Sequence, residues 1–487
     1  MKTDYQKFIS DVAAVGITEF IIRASGLVTL PILTRMLLPS SYGLWALILI
    51  TITIVSSVFQ AGLGVALVRF VPSEKNGEDQ AKTISDILGL VFVLSLIGMA
   101  FFWLVAPALG KGFLKISAED LGVFRLSVLF IPLYALREML MRSLRALRWM
   151  GRFAGLNCFK VGLEIGGLLW LFHTAKGTVP NVVCLYLMIE AVTIGAGFWF
   201  MAGRMPLRRP DLTRARSYLP FALPLAANAL LLLAIHSSDR YLLSHFIGFS
   251  AAGIYTAALN ISMIAHLFLM PIQSVLLIAT ADLYDANQLD EVRTYFRYSI
   301  KYYLILTMPL VLGLVLYGRP FIRLVATAAY LGDAQVLPWL TVGCLFYGVY
   351  QLLIFTAYLR KRTQWDFILL LGGAATNIIL NILLIPPFGP AGAAAATAVS
   401  FLLLALAAYA LSCRYLGFLF HPMLGLRVLA ASSAMGFLIV LLSERKTIWD
   451  PVPIGMGLLV YFGALSVLRT FRMPELRLLV GVPSDRL

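Results

Sequence analysis

Runs of about twenty apolar residues, repeated from one end of the chain to the other, constrain this sequence more than any other feature. A helix that crosses a bilayer needs about 20 such residues. The runs fall at roughly 11–33, 42–66, 84–106, 122–141, 153–172, 180–202, 217–236, 247–272, 298–317, 334–358, 365–385, 390–412, 422–442 and 452–468. Only closed hydrogen-bonded elements tolerate lipid, so each run predicts a helix. The connections are short and hold no soluble domain. The expectation is an all-α, polytopic membrane protein of about fourteen transmembrane helices.

Composition closes off the soluble alternative. The 487 residues are 60% hydrophobic and 13% charged, against roughly 25% charged in a soluble domain. The net charge of +15 is not that of a nucleic-acid binder, because the basic residues sit in short clusters between apolar runs. With the N-terminus placed inside, twenty-five Lys and Arg fall in inner segments and nine in outer ones. The inner clusters include Arg142, Arg145, Arg148 and Arg152, and the tail from Arg469 to Arg486. This asymmetry predicts a cytoplasmic-membrane protein with both termini cytoplasmic. Glu19 and Arg23 interrupt the first run, which reads as a spanning helix rather than a cleaved signal.

Weak self-similarity runs through the chain. A shift of 210 residues lays Leu33, Ser40 and Gly43 on Leu243, Ser250 and Gly253; a shift of 213 lays Arg148, Gly151 and Arg152 on Lys361, Gln364 and Trp365. The shifts suggest two six-helix lobes of like orientation. They divide the chain into 1–210, 211–415 and a C-terminal helix pair with a tail, 416–487.

Enzyme and metal signatures do not occur. There is no G-x-x-x-x-G-K-[S/T], no H-E-x-x-H and no D-x-D, and the five histidines are dispersed. Cys158, Cys184, Cys344 and Cys413 read as small buried hydrophobes, not as a disulfide frame or a metal site. No cofactor is called for.

Charges inside a span are costly, about 2.5–3.5 kcal/mol each at the bilayer centre, and usually face protein or a wet cavity. In the first run Gly16, Glu19, Arg23 and Gly26 share one helix face; in the fifth, Asn157, Lys160, Glu164 and Gly167 repeat the spacing. Asn377 and Asn381 echo it in the eleventh. The stripes read either as i, i+4 pairs that join helices or as the wall of a polar cavity shared by all three runs. Glu190 lies mid-span with no partner in its own run, which makes it either a proton-site candidate or the partner of a hydrogen bond from a neighbouring helix. Asp239 and Arg240 read as a wet ion pair at the outer end of the seventh run. Gly162 and Gly166 form a G-x-x-x-G pattern that signals close helix packing.

Three segments resemble a known family. They are Arg23-Ala-Ser-Gly26 through Leu33-Thr-Arg35 to Pro39, Tyr42 and Gly43; Ser238-Asp239-Arg240-Tyr241 with Gly253 and Tyr255; and Asn377 and Asn381 with Pro386, Gly389, Gly392 and Thr397. Together they are similar to the polysaccharide-biosynthesis, O-antigen-type flippases of the multidrug/oligosaccharidyl-lipid/polysaccharide exporter superfamily. The resemblance implies a MATE-like pair of lobes around a cleft, and a non-enzymatic flippase for surface polysaccharide export. It implies alternating access with a polyprenyl-pyrophosphate-linked oligosaccharide as the partner, membrane lipid around it and other glycan-assembly membrane proteins beside it. Arg23, Lys160, Asn157, Asn377 and Asn381 would then hold the anionic substrate; Glu19, Glu164 and Glu190 would be ion-coupling candidates; Asp239 and Arg240 would mark the second lobe. The rival readings are a small-molecule exporter of the same superfamily and a membrane glycan polymerase. The polymerase wants a larger outer loop than any this chain has.

Overall fold

The computed structural model describes residues 2–202, 208–332, 335–417, 422–442, 451–468 and 470. Some side chains within those ranges, those of 2–15, Glu19 and Arg23 among them, lie outside the described set, as does most of the basic tail. Among the described residues the backbone is helical with no strand.

The chain runs through α1 (Lys2–Met36), α2 (Pro39–Gln60), α3 (Leu63–Phe70), α4 (Gly77–Ala108), α5 (Ala118–Leu126), α6 (Phe130–Ala146), α7 (Met150–His173), α8 (Val179–Ala202), α9 (Leu212–Arg216) and α10 (Leu219–Phe246). It continues through α11 (Phe249–Ser262), α12 (Leu269–Asp285), α13 (Leu289–Val325), α14 (Val336–Leu353), α15 (Phe355–Leu359), α16 (Gln364–Leu416), α17 (Pro422–Leu442) and α18 (Pro451–Val467). Ten helical stretches are long and apolar enough to cross a membrane; the fourteen apolar runs fall largely on helical backbone, the second breaking between α2 and α3 at Ala61–Gly62. The chain is a multi-pass membrane protein. Large apolar side chains such as Leu104, Trp199, Phe437 and Leu459 stand outward, as lipid contact requires.

α16 holds two runs in one helical stretch. It breaks at Gly389, with φ 59° and ψ −139°. That conformation suits glycine, and Pro386, Pro387 and Pro390 around it deny the backbone the donors a straight helix needs.

Packing divides the chain into two compact units. One is Met1–Asn260 with Arg323–Asp333 and Leu370–Ala396; the other is Ile261–Ile322 with Ala334–Leu369 and Thr397–Leu487. The lobes expected from the repeat, divided at 210 and 415, stay a proposal beside these units. In the first unit, a core built from residues such as Leu67, Ile84, Met139, Leu144 and Phe153 packs α3, α4, α6 and α7 together. In the second, Tyr461 donates a 2.6 Å hydrogen bond to the Ile305 carbonyl, and Val428, Ala431 and Leu465 pack beside it. That contact fastens the C-terminal pair to α13.

The positions paired by the two shifts behave alike. Arg148 and Lys361, 213 residues apart, both have left-handed backbone, with φ near 56°. At the first corner Trp149 N–H bonds Leu144 O and Arg148 N–H bonds Arg145 O; at the second, Arg362 bonds Ala357 and Lys361 bonds Tyr358 in the same register. Each is a Schellman closure, which satisfies the carbonyls a helix leaves open at its C-terminus. Within the first unit, a Cβ on Gly43 would lie 2.0 Å from Phe249 O, and one on Gly253 would lie 2.0 Å from Pro39 O. Pro39 and Phe249 are themselves related by the 210 shift, so the crossing of α2 and α11 is reciprocal.

Two expectations need correction. A Cβ on Gly162 or Gly166 would meet nothing within 4 Å, so their pattern packs no helix; Gly167 instead abuts Leu185. Cys158 and Cys184 are exposed rather than buried, as a weakly polar thiol can be against lipid. The glycines give a direct test. Gly43→Ala should lower the stability of the purified protein by about 2 kcal/mol or more, because backbone must shift. Gly162→Ala should leave it unchanged or raise it by about 0.5–1 kcal/mol. Thermal melts of the two variants beside the parent check both signs.

Candidate functional site

The site begins with the helix faces of α6 and α7. α7 buries Phe153, Asn157 and Glu164, with Lys160 half-buried between the last two. Their spacing of four, three and four residues is one stripe of an α-helix. On α6, Glu138, Arg142 and Arg145 follow i, i+4, i+7 and form a second stripe. The Schellman corner between these helices turns the stripes toward each other. α1 packs along α7 and contributes Ile22 and Ser25.

Between them lies a cavity of about 560 Å³. Its polar wall is made chiefly of Arg137, Glu138, Arg142 and Arg145 from α6, and Asn157, Lys160 and Glu164 from α7. Val65 and Val68 of α3 supply apolar wall. Among the described residues, four cations and two carboxylates thus share one enclosure.

Each charge has its contacts. Lys160 is ion-paired with Glu164 one turn on. Glu138 sits between two guanidinium groups, 3.6 Å from Arg137 and 3.4 Å from Arg142. The Arg142 contact lacks hydrogen-bond geometry, since its buried Nε has no hydrogen-bond partner. The Arg145 guanidinium stacks over the Phe153 ring at 4.3 Å, a cation–π contact that holds it flat against the wall. Asn157 donates to the Phe153 carbonyl at 2.9 Å and reaches the Met141 sulfur at 3.6 Å.

Glu190 is not the lone carboxylate that its own run suggests. Arg137 Nε donates to Glu190 Oε2 at 2.7 Å, with both side chains nearly buried. The partner comes from another helix, 53 positions away, so no pattern within one span reveals it. A buried guanidinium and carboxylate in this contact satisfy each other where water cannot.

The remaining candidates assemble elsewhere in the same unit. The polar segment Ser237–Arg240 does not end its helix: α10 continues to Phe246. Asp239 is 1% exposed, which overturns the wet loop pair. Tyr255 donates to its carboxylate, the Arg240 amide donates to it at 2.8 Å, and the Arg240 guanidinium lies 3.6 Å away. Arg240 also donates to the His236 carbonyl. Asn377 and Asn381 are fully buried. Asn377 Oδ1 accepts from Ser238 at 2.7 Å and from Asn381 at 2.9 Å. Neither asparagine lines the cavity, so the eleventh run does not share the wall of the fifth. The side chains of Glu19 and Arg23 lie outside the described residues.

The sequence reading missed Arg137 and Glu138 and took Arg142 and Arg145 for topology signals. The i, i+4, i+7 spacing of Glu138, Arg142 and Arg145 was the available sign, being the same pattern that marks α7. Among the described residues no group of His, Cys, Asp and Glu is arranged to hold a metal. The buried pair yields a prediction. Arg137→Met or Glu190→Leu alone should cost about 3–5 kcal/mol by stranding a charge, whereas the two substitutions together should recover most of it. A double-mutant cycle on melting temperature checks this; additive losses would refute the coupling.

Similarity to known proteins bears on the whole chain. The sequence profile described as polysaccharide biosynthesis protein matches residues 32–334. No curated protein matches the sequence. Among solved structures, the lipid II flippase MurJ in an inward closed conformation aligns with TM-score 0.76 and 18% identity, over 93% of this chain and 98% of that one. An inward-facing multidrug resistance MATE family transporter of the MOP superfamily aligns with TM-score 0.66 and 14% identity, over 81% and 94%. A MOP superfamily transporter from Pyrococcus furiosus, described as having a binding pocket of reverse polarity, aligns with TM-score 0.60 and 15% identity, over 84% and 95%. These likenesses establish the fold; with the profile covering well over half its length, the chain belongs to the polysaccharide biosynthesis protein family and has the fold of the MOP-superfamily transporters.

Proposed function

We propose that this protein is a flippase, not an enzyme, that carries polyprenyl-pyrophosphate-linked oligosaccharides across the cytoplasmic membrane by alternating access. One observation supports the reading: among the described residues, the cavity in the first unit sets four cations against two carboxylates. A small organic cation would meet a repulsive wall there. A pyrophosphate would find Arg142 and Arg145 at one side and Lys160 at the other. Guanidinium groups bind phosphate oxygens through paired, charge-assisted hydrogen bonds. The carboxylates Glu138 and Glu164 hold these cations in place while the cavity is empty and yield them to the substrate. The lipid tail stays in the bilayer, where the exposed apolar side chains already face. Both termini are proposed to lie on the cytoplasmic side, which places the Arg145–Arg152 corner where the lipid-linked precursor is made.

Of the ion-coupling candidates, Glu164 borders the cavity and keeps that proposed role; Glu190 is assigned to structure by its pairing with Arg137. Asn157 keeps a proposed substrate contact, while Asn377 and Asn381 do not. Arg23 is proposed as a further phosphate contact from α1.

The reading is tested by surface-glycan export at matched protein level. Arg142→Ala with Lys160→Ala should lower export by about tenfold or more, the loss of at least one charge-assisted hydrogen bond. Lys160→Arg should retain most of it. Full export by the double variant would reject the cavity as the pyrophosphate site.

A further inference from the structure

The second unit holds a polar contact that the cationic cavity does not explain. Gln273 of α12 and Gln351 of α14 face each other inside the apolar helix pair. Gln273 Nε2 donates to Gln351 Oε1 at 2.9 Å. Gln351 Nε2 donates to the Tyr347 hydroxyl at 2.5 Å. Tyr347 is itself fixed: its ring lies 4.8 Å from that of Phe401 and 5.5 Å edge-on from that of His266. The amides are therefore held in one arrangement.

A glutamine pair that served only to join helices would be closed off and fully used. This one is neither. Both glutamines are half-buried. Among the described residues, Gln273 Oε1 has no donor and the second Gln351 N–H has no acceptor. The pair thus presents one acceptor beside one donor, without formal charge, from side chains already oriented by aromatic packing. Neighbouring hydroxyls of a sugar ring match such a pair: one donates to Gln273 Oε1 while the next accepts from Gln351. Among the described residues no lysine or arginine bonds to the pair, and an apolar chain would leave both groups unsatisfied, at a cost.

We propose that Gln273 and Gln351 form a binding site for the neutral hydroxyls of a glycan, separate from the cationic cavity. The inference rests on the flippase reading, for which this is a sugar-recognising site of the second unit. It is tested on free sugar so that the two can fail separately.

The test uses saturation-transfer NMR on the full-length protein in a detergent without sugar headgroups. The probes are the methyl glycosides of glucose, galactose, mannose and N-acetylglucosamine. At least one should receive saturation from the parent protein. Gln273→Ala and Gln351→Ala should each weaken that binding by about fivefold, the effect of one net hydrogen bond. Tyr347→Phe, which removes only the hydroxyl that orients Gln351, should weaken it in the same direction. Arg142→Ala with Lys160→Ala should leave it unchanged. Transfer to none of the glycosides, or transfer that survives both glutamine variants, overturns the proposal. A lowered melting temperature with undiminished transfer assigns the pair to helix packing and overturns it equally. Loss of export in the cavity variants is read independently, so a failed pyrophosphate site would not be mistaken for a failed sugar site.

Discussion

A charge inside a bilayer needs a partner, and that requirement organises the first unit. Arg137 reaches across from α6 to Glu190 on α8. Glu138, next in sequence, points to Arg142 as well as to Arg137. Lys160 turns to Glu164 on its own helix. In water such contacts contribute little. In a low-dielectric interior, removing one member strands the other, and that penalty fixes which helix faces which. The Arg137–Glu190 contact therefore ties the rotation of α6 to that of α8, while the pairs within α6 and within α7 hold the cavity cations along their own helix faces.

Backbone constraints set the rest. The left-handed residues at Arg148 and Lys361 end two helices abruptly, and each next helix starts within a few residues. The first of these corners brings the charged faces of α6 and α7 together. The reciprocal contact of Gly43 and Gly253 lets α2 and α11 cross at backbone distance. A side chain at either position would hold those helices apart. The same residues carry the weak internal repeat, so the repeat is most visible where geometry tolerates fewest substitutions.

Much of the fold was legible in the sequence, because hydropathy reports directly on lipid contact. The apolar runs are largely helical, with an unforeseen break at Ala61–Gly62 inside the second, and the break at Gly389 falls between the two runs assigned on either side of it. The stripe of Asn157, Lys160 and Glu164 on α7 was also legible, since a stripe needs only helix period. What failed needed knowledge of a second helix. The partner of Glu190 lies on α6, and no periodicity in α8 predicts it. The polar segment Ser237–Arg240 interrupts an apolar run, which suggests water around Asp239. Buried bonds from Tyr255 and from the Arg240 amide let the helix pass through that segment instead. The spacing of Gly162 and Gly166 suggests an interface, but spacing does not say which face of α7 is occupied.

Arg142 and Arg145 show why a charge count and a binding site can be confused. Basic residues at a helix end orient the chain in the membrane and draw anionic headgroups. The same two side chains also line the cavity of the first unit, the one proposed to take an anionic phosphate group. Topology requires only that such charges exist near the end of the span; it is indifferent to their spacing. A four- and three-residue spacing that continues from Glu138 places them on one face, and a face is a requirement of packing or binding. Spacing, rather than number, therefore separates the two roles, and on α6 it assigns these arginines to the cavity as well as to the membrane edge.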